Sequence, residues 1–160
     1  MTGRGTLAVL LLQREGVVHT VHAYAMPPAE AAGSYGEAVA AALEIAPERM
    51  LKTLLAEVDG RLVCGVVPVA GSLDLKALAG AVGGKRGVMA EPVVAERSTG
   101  YVVGGISPLG QRTRLPTVVD ETAELWDTVV VSAGRRGLSV ELAPADLLRL
   151  TRAVLADIAR

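Results

Sequence analysis

Residues 98–120 read STGYVVGGISPLGQRTRLPTVVD. Gly100, Gly104 and Gly105, then Ser107-Pro108-Leu109-Gly110, then Gln111 with Arg112 and Arg114, make a poor helix and a poor unbroken strand. Glycine costs about 1 kcal/mol inside a helix and offers a strand no side chain to pack. The pattern predicts a short strand over Tyr101-Val102-Val103. It ends at Gly104-Gly105, where backbone can come close to a ligand or take positive φ. Pro108 then sets a bend and removes one donor. Such a segment is a tight turn, a ligand-facing loop, or both.

Outward from this stretch, helices and strands mix. Upstream, the pattern predicts a strand over Gly87 to Met89 and a short helix over Glu91 to Arg97. A helix over Leu73 to Val82 has Ser72 as N-cap and Gly83-Gly84 as its stop. Lys52 to Val58 and Arg61 to Val69 form a hairpin about Asp59-Gly60. Nearer the amino end stand a helix over Thr6 to Glu15, a strand over Val17 to Tyr24, a Pro27–Ser34 loop and a helix over Gly36 to Ile45. Downstream, Thr117 to Val119 is β-branched and Glu121 to Leu125 is a helical turn. Strands over Asp127 to Ser132 and Leu138 to Leu142 flank a turn, Ala133 to Gly137. The last helix is expected over Pro144 to Ile158, because Leu147, Leu150, Val154 and Ile158 recur at steps of three and four. A hairpin within such a mixture predicts a mixed sheet.

A chain of 160 residues suits one ordinary domain with a sizeable core. Hydrophobic residues make up 51% but aromatics only 2%, so Val, Leu, Ala and Ile must build that core. No apolar run reaches 18 residues, which argues against a membrane span. The start, MTGRGTLAVLLLQREG, lacks a cleavage site and is expected to be an amphipathic helix of a cytoplasmic protein. One cysteine, Cys64, excludes an internal disulfide. The net charge of −1 does not advertise a long nucleic-acid footprint. Lys85, Arg86, Arg97, Arg112 and Arg114 against Glu91 and Glu96 give a local basic excess. That would suit contact with the end of an RNA, or be ordinary solvated charge.

Most catalytic constellations are missing. His19 and His22 fall on opposite faces of a strand and are not expected to share a metal. There is no cysteine cluster, HExxH, nucleophile elbow, Walker A or Rossmann glycine pattern. Cys64 lies in an apolar run and is expected to be a buried, inert thiol. Lys52 stands out between Met50-Leu51 and Thr53-Leu54-Leu55. It can snorkel to solvent or serve a site. Tyr24 and Tyr35 can fill core or stack on an unpaired base.

The run GYVVGGISPLGQRTRLPTVVD resembles the YbaK/EbsC family of free-standing aminoacyl-tRNA deacylases, which are related to the editing domain of bacterial prolyl-tRNA synthetases. So do Lys52-Thr53-Leu54-Leu55, Thr99-Gly100-Tyr101 and Ser132-Ala133-Gly134-Arg135-Arg136-Gly137, in the family's order. The similarity runs from about Val17 to the last helix.

The resemblance implies an α/β fold of α+β type, with a mixed, largely antiparallel curved sheet flanked by helices and residues 1–160 forming one editing domain. It implies that Lys52 is catalytic, since the family's lysine at this position is required for deacylation. Such an ammonium can hold the RNA end or polarise the ester carbonyl. It puts Tyr24, Tyr35, Thr53, Ser132 and Ser139 in a substrate pocket. Gly100, Tyr101 and the loop Gly104-Gly105-Ile106-Ser107-Pro108 join them, with the glycine amides facing the ester carbonyl. Arg112, Arg114, Arg135 and Arg136 are the expected RNA contacts.

The implied function is trans-editing of mischarged Cys-tRNA(Pro), with Cys-tRNA(Cys) as a second candidate. In the mechanism ascribed to the family, the substrate's own thiol attacks its ester. No cofactor or metal is implied, nor DNA or a membrane. The implied partners are the acceptor end of an aminoacyl-tRNA and prolyl-tRNA synthetase. Ser139 departs from the aspartate that Cys-tRNA(Pro) deacylases commonly carry there, which leaves another misacylated tRNA such as Ala-tRNA(Pro) open. A non-catalytic module that binds tRNA or a synthetase is the alternative of a different class.

Overall fold

Thr6 Oγ1 accepts the Val9 amide at 3.2 Å and starts the first helix, α1 (Leu7–Arg14). The computed structural model describes residues 5–25 and 35–160. The predicted Pro27–Ser34 loop lies outside them. The chain continues through β1 (His19–Ala23), α2 (Tyr35–Ala42), β2 (Leu51–Val58), β3 (Arg61–Pro68), α3 (Leu75–Ala81), β4 (Gly87–Met89) and α4 (Pro92–Thr99). Then come β5 (Thr117–Asp120), a 3₁₀ turn over Glu121–Leu125, β6 (Val129–Arg135), β7 (Leu138–Leu142), α5 (Pro144–Thr151) and β8 (Val154–Ala156).

The strands form two sheets, not one. In the first, the order is β1-β7-β6 and every pair is antiparallel. In the second, the order is β4-β2-β3-β5-β8. Its β4-β2-β3 part is antiparallel, while β3-β5 and β5-β8 are parallel. The mixed α+β expectation therefore holds. A lone parallel bridge, Met50 to Val130, joins the two sheets, and the Val130 amide donates to Arg49 O at 3.0 Å. The main core lies where α1, the inner faces of both sheets and the glycine-rich segment meet. Leu12, Val66, Leu109, Val119, Val131, Val140 and Leu147 are all buried there. Aliphatic side chains fill it, as an aromatic-poor composition requires.

Four local expectations fail. Residues 101–103 form no strand. Gly100, left-handed at φ 82, ends α4. Tyr101 turns into the core and donates its hydroxyl to Leu109 O at 2.6 Å, and Val102 O accepts the Gly105 amide in a tight turn. The helix expected from Leu73 starts at Leu75, with Asp74 as N-cap accepting the Ala77 amide at 2.9 Å. Ser72 is engaged elsewhere, exchanging both backbone bonds with Arg160. The strand expected to end at Ser132 continues to Arg135 across an irregularity in its pairing with β7.

The last helix ends at Thr151 instead of Ile158. Arg152 is left-handed, and β8 pairs with β5. Buried Asp120 draws the end of the chain in. Its Oδ1 accepts the Ile158 and Ala159 amides, both at 3.0 Å, while Oδ2 accepts the amide and hydroxyl of Thr122.

Candidate active site

Beyond the Met50–Val130 bridge, β2 and β6 are not paired with each other. On one edge β2 pairs with β3 along its whole length. On the other it meets β4 only from Ala56 to Val58. Residues 51–54 thus have no partner strand on that edge among the described residues. A cleft of about 330 Å³ opens there, between β2 and the β6–β7 pair. Val39 and Gly36 of α2 and Gly104 and Ile106 of the glycine loop also line it.

Eight of the residues expected in the site meet in this cleft. Lys52 and Thr53 stand side by side on β2. Ser132 and Ser139 are direct cross-strand partners on β6 and β7. Gly104 and Ile106 come from the loop, and Tyr24 and Tyr35 from the ends of β1 and α2. Lys52 is half-buried and forms no ion pair with a described carboxylate. Among the described residues that line the cleft there is no histidine, cysteine or carboxylate.

Arg136 frames one side. Its guanidinium lies 5.9 Å from the centroid of the Tyr35 ring and donates to Val103 O at 3.0 Å. Partial burial raises the Tyr35 phenol to about 12, helped by its hydrogen bond with Tyr24 and opposed by the Arg136 charge.

The glycine loop is held by backbone packing. Gly104 has φ 93, a conformation that side chains strain to adopt. A Cβ on Gly105 would sit 2.8 Å from Arg135 Cα and 2.9 Å from Arg136 N. The Gly105 amide is bonded to Val102 O at 2.8 Å, so it closes the turn instead of facing the cleft.

Other expected residues are set apart. Ser107 is buried and its Oγ accepts the Leu109 amide at 3.1 Å. Pro108 and Arg114 border a separate, smaller hollow. Gly100 and Tyr101 serve the cap and the core. Arg112, Arg114 and Arg135 are exposed and do not line the cleft. Cys64 is fully buried, and burial pushes its thiol up to about 12, so it is inert as expected.

Two features left no mark in the sequence. Thr53 Oγ1 and Ser139 Oγ are buried without a hydrogen-bond partner among the described residues. Leaving such groups unpaired costs about 1–3 kcal/mol each. The second feature shares a sheet face with Ser139. Glu141 accepts from Thr128 Oγ1, pairs with His22 Nε2 at 2.8 Å and with Arg49 Nη1 at 3.1 Å. His19 lies apart, with Nδ1 2.7 Å from Val17 O. No group of three metal-ligating side chains occurs among the described residues.

The Thr128 and His22 hydrogen bonds, with the Arg49 charge, hold the Glu141 carboxyl down to about 2 from a usual 4.5, against the opposing pull of desolvation. A depressed carboxyl stabilises the fold above its ordinary value, and that stability is lost as pH falls from about 4.5 toward 2. Glu141→Gln is expected to cost about 1–3 kcal/mol at pH 7. Its deficit relative to the parent should shrink at pH 3. Urea midpoints at the two pH values check this, and a deficit equal at both would remove the network from the acid response.

The family model described as "Aminoacyl-tRNA editing domain" matches residues 29–150. The proposed Cys-tRNA(Pro)/Cys-tRNA(Cys) deacylase EbsC of Enterococcus faecalis is 41% identical over 124 residues, covering 76% of this chain and 75% of that protein. The multifunctional Ser/Thr-tRNA deacylase ProXp-y of Escherichia coli is 32% identical over 114 residues, covering 68% of each. A crystal structure of a proposed trans-editing enzyme for prolyl-tRNA synthetase superposes with a TM-score of 0.80. At 24% identity, covering 96% of this chain and 95% of that one, it speaks for the fold alone.

Proposed function

Because this chain belongs to the aminoacyl-tRNA editing domain family, and is an aminoacyl-tRNA deacylase, we propose that it clears cysteine misattached to tRNA(Pro), with Cys-tRNA(Cys) as a second substrate. One observation carries the choice. Among the described residues, the cleft holds a lysine and several hydroxyls but neither a cysteine nucleophile nor a histidine or carboxylate base to activate one of those hydroxyls. A substrate that brings its own nucleophile needs neither. The cysteinyl thiol gives its proton to water, its sulfur forms a C–S bond to its own ester carbonyl, the C–O bond to the ribose breaks, the 3′-oxygen takes a proton from water, and the cyclic thioester so released is opened by water to free cysteine. Holding thiol and carbonyl together can supply on the order of 7–11 kcal/mol.

In this proposal the Lys52 ammonium stabilises the oxyanion. The Gly104 turn shapes the wall that faces it. Tyr24 and Tyr35 stack on or border the terminal adenosine, with Arg136 beside them. Arg112, Arg114 and Arg135 meet phosphates further along the acceptor stem. Residues 1–160 act as one editing domain in the cytoplasm. A net charge of −1 makes for weak affinity toward bare tRNA, so prolyl-tRNA synthetase is the proposed deliverer. Editing in trans is needed because a synthetase pocket separates small amino acids by only about 1–3 kcal/mol.

A deacylation time course with Cys-tRNA(Pro), Ala-tRNA(Pro), Cys-tRNA(Cys) and Pro-tRNA(Pro) tests the proposal. Fast loss of the cysteinyl esters and persistence of the prolyl ester are expected. Equal loss of the alanyl ester would replace thiol attack by a water path. No loss from any of them, with synthetase present, would leave a binding module.

A further inference from the structure

The thiol attack proposed above releases a proton, and among the described residues no histidine or carboxylate lines the cleft to take it. A histidine stands one strand behind the lining. His22 on β1 is the direct cross-strand partner of Ser139 on β7, and Ser139 is that of Ser132 on β6. Directly opposed residues of antiparallel strands share a face, with Cβ atoms about 4.5–5.5 Å apart. The three side chains therefore form a row across one face of the sheet. Ser132 and Ser139 line the cleft, and so does Tyr24, two residues beyond His22.

The His22 ring is held in one sense. Its Nε2 lies 2.8 Å from Glu141 Oε1. The Glu141 carboxyl, held down to about 2, is ionised and only accepts, so Nε2 carries a proton. Glu141 is fixed in turn by Thr128 Oγ1 and by Arg49 Nη1. In the neutral ring Nδ1 is then a bare acceptor, and it makes no hydrogen bond to a described residue. Across the strand pair Ser139 Oγ is fully buried and equally without a partner. A buried unpaired hydroxyl beside an unpaired ring nitrogen makes a seat for one water, which would satisfy both. A ring nitrogen oriented from behind by a carboxylate is the arrangement of a general base.

We propose that His22, oriented by Glu141, accepts the proton of the substrate thiol through a water held by Ser139. The inference rests on the deacylase reading and deepens its thiol path. The S–H bond breaks and its electron pair stays on sulfur, which forms the C–S bond to the ester carbonyl. The proton crosses the water to Nδ1. The C–O bond to the ribose breaks, and the imidazolium returns the proton through water to the 3′-oxygen. The Glu141 carboxylate stabilises the imidazolium formed in between.

The test compares a cysteinyl with a selenocysteinyl ester on one acceptor-stem minihelix. A selenol is already ionised near neutrality and has no proton to pass on, so the relay matters for the sulfur ester alone. His22→Gln keeps an amide donor for Glu141 but has no basic nitrogen. Ser139→Ala removes the seat of the water and deletes an unpaired buried hydroxyl, so its fold should survive. Each is expected to slow single-turnover cleavage of the cysteinyl ester at least about tenfold, with KM and the selenocysteinyl rate near parental. A structural lesion would slow both esters alike. Equal slowing of the two esters, or an unchanged cysteinyl rate in either variant, would overturn the relay. So would a cysteinyl group trapped on Ser139, which would make that hydroxyl the nucleophile. A parent that cleaves neither ester would overturn the deacylase reading and the relay with it.

Discussion

Lys52→Ala is expected to slow ester cleavage by roughly 100- to 1,000-fold in single-turnover kcat, the usual cost of removing one oxyanion-stabilising donor. The fold should survive. Lys52 is half-buried at the open edge of β2 and forms no ion pair with a described carboxylate, so its loss leaves no buried charge behind. The size of the effect follows from isolation. The other cation at the cleft among the described residues, Arg136, frames its side, with its guanidinium over Tyr35 and bonded to Val103 O, so Lys52 is the one cationic side chain in the lining itself. Lys52→Arg keeps the charge but replaces a compact ammonium by a planar fork on a longer stem, and partial activity is expected. Single-turnover cleavage of Cys-tRNA(Pro), read beside a thermal melt, checks both variants. A Lys52→Ala protein with parental rates would remove Lys52 from the mechanism. A collapsed melt would instead assign the lysine to the fold.

Gly105→Ala is the second large effect, and it works through shape. The added Cβ would sit 2.8–2.9 Å from the backbone of Arg135 and Arg136, which are fixed in and beside β6. Backbone cannot swing aside as the tip of a flexible side chain can. The loop must therefore shift, carrying Gly104 and Ile106 out of the wall they form. Misplacing a wall by about 1 Å costs on the order of 100-fold in rate. The released contacts add about 1–3 kcal/mol of destabilisation. A useful contrast is Gly104→Ala, where the nearest atom is Arg136 Nε at 2.4 Å. That guanidinium is exposed and can rotate away, although the φ of 93 still strains the new residue. Gly105→Ala should therefore exceed Gly104→Ala in lost Tm. The reverse order would mean that backbone strain, and not the contact with β6, governs the loop.

Position by position, the sequence was a good guide to which residues gather and a poor guide to what holds them. Lys52, Thr53, Ser132 and Ser139 were legible through the resemblance, and the cleft brings them together. Pro108 and Arg114 belong to the same run as Gly104, yet they border a different hollow. The loop turns over between Ile106 and Leu109, and residues a few positions apart come to face opposite sides. Tyr101 read as part of a strand because Tyr-Val-Val has strand propensity. Burial of its ring and the bond to Leu109 O outweigh a propensity worth under about 1 kcal/mol. The step of three and four from Leu147 to Ile158 read as one helix. Beyond Arg152, pairing of β8 with β5 and the grip of Asp120 on the Ile158 and Ala159 amides decide otherwise.

By itself the sequence determined what short-range physics controls: where glycine and proline break the chain, where β-branched runs form strands, the hairpin about Asp59-Gly60, and a core built mostly from aliphatic side chains. Its motif run also determined the family. Only the tertiary structure decided that the strands divide into two sheets joined at Met50 and Val130. Only it decided that a cleft opens between them beside Lys52, and that Thr53 and Ser139 face it with their hydroxyls unpaired. The reason is that pairing between distant strands and the satisfaction of buried polar groups depend on contacts between residues dozens of positions apart, which no local pattern encodes.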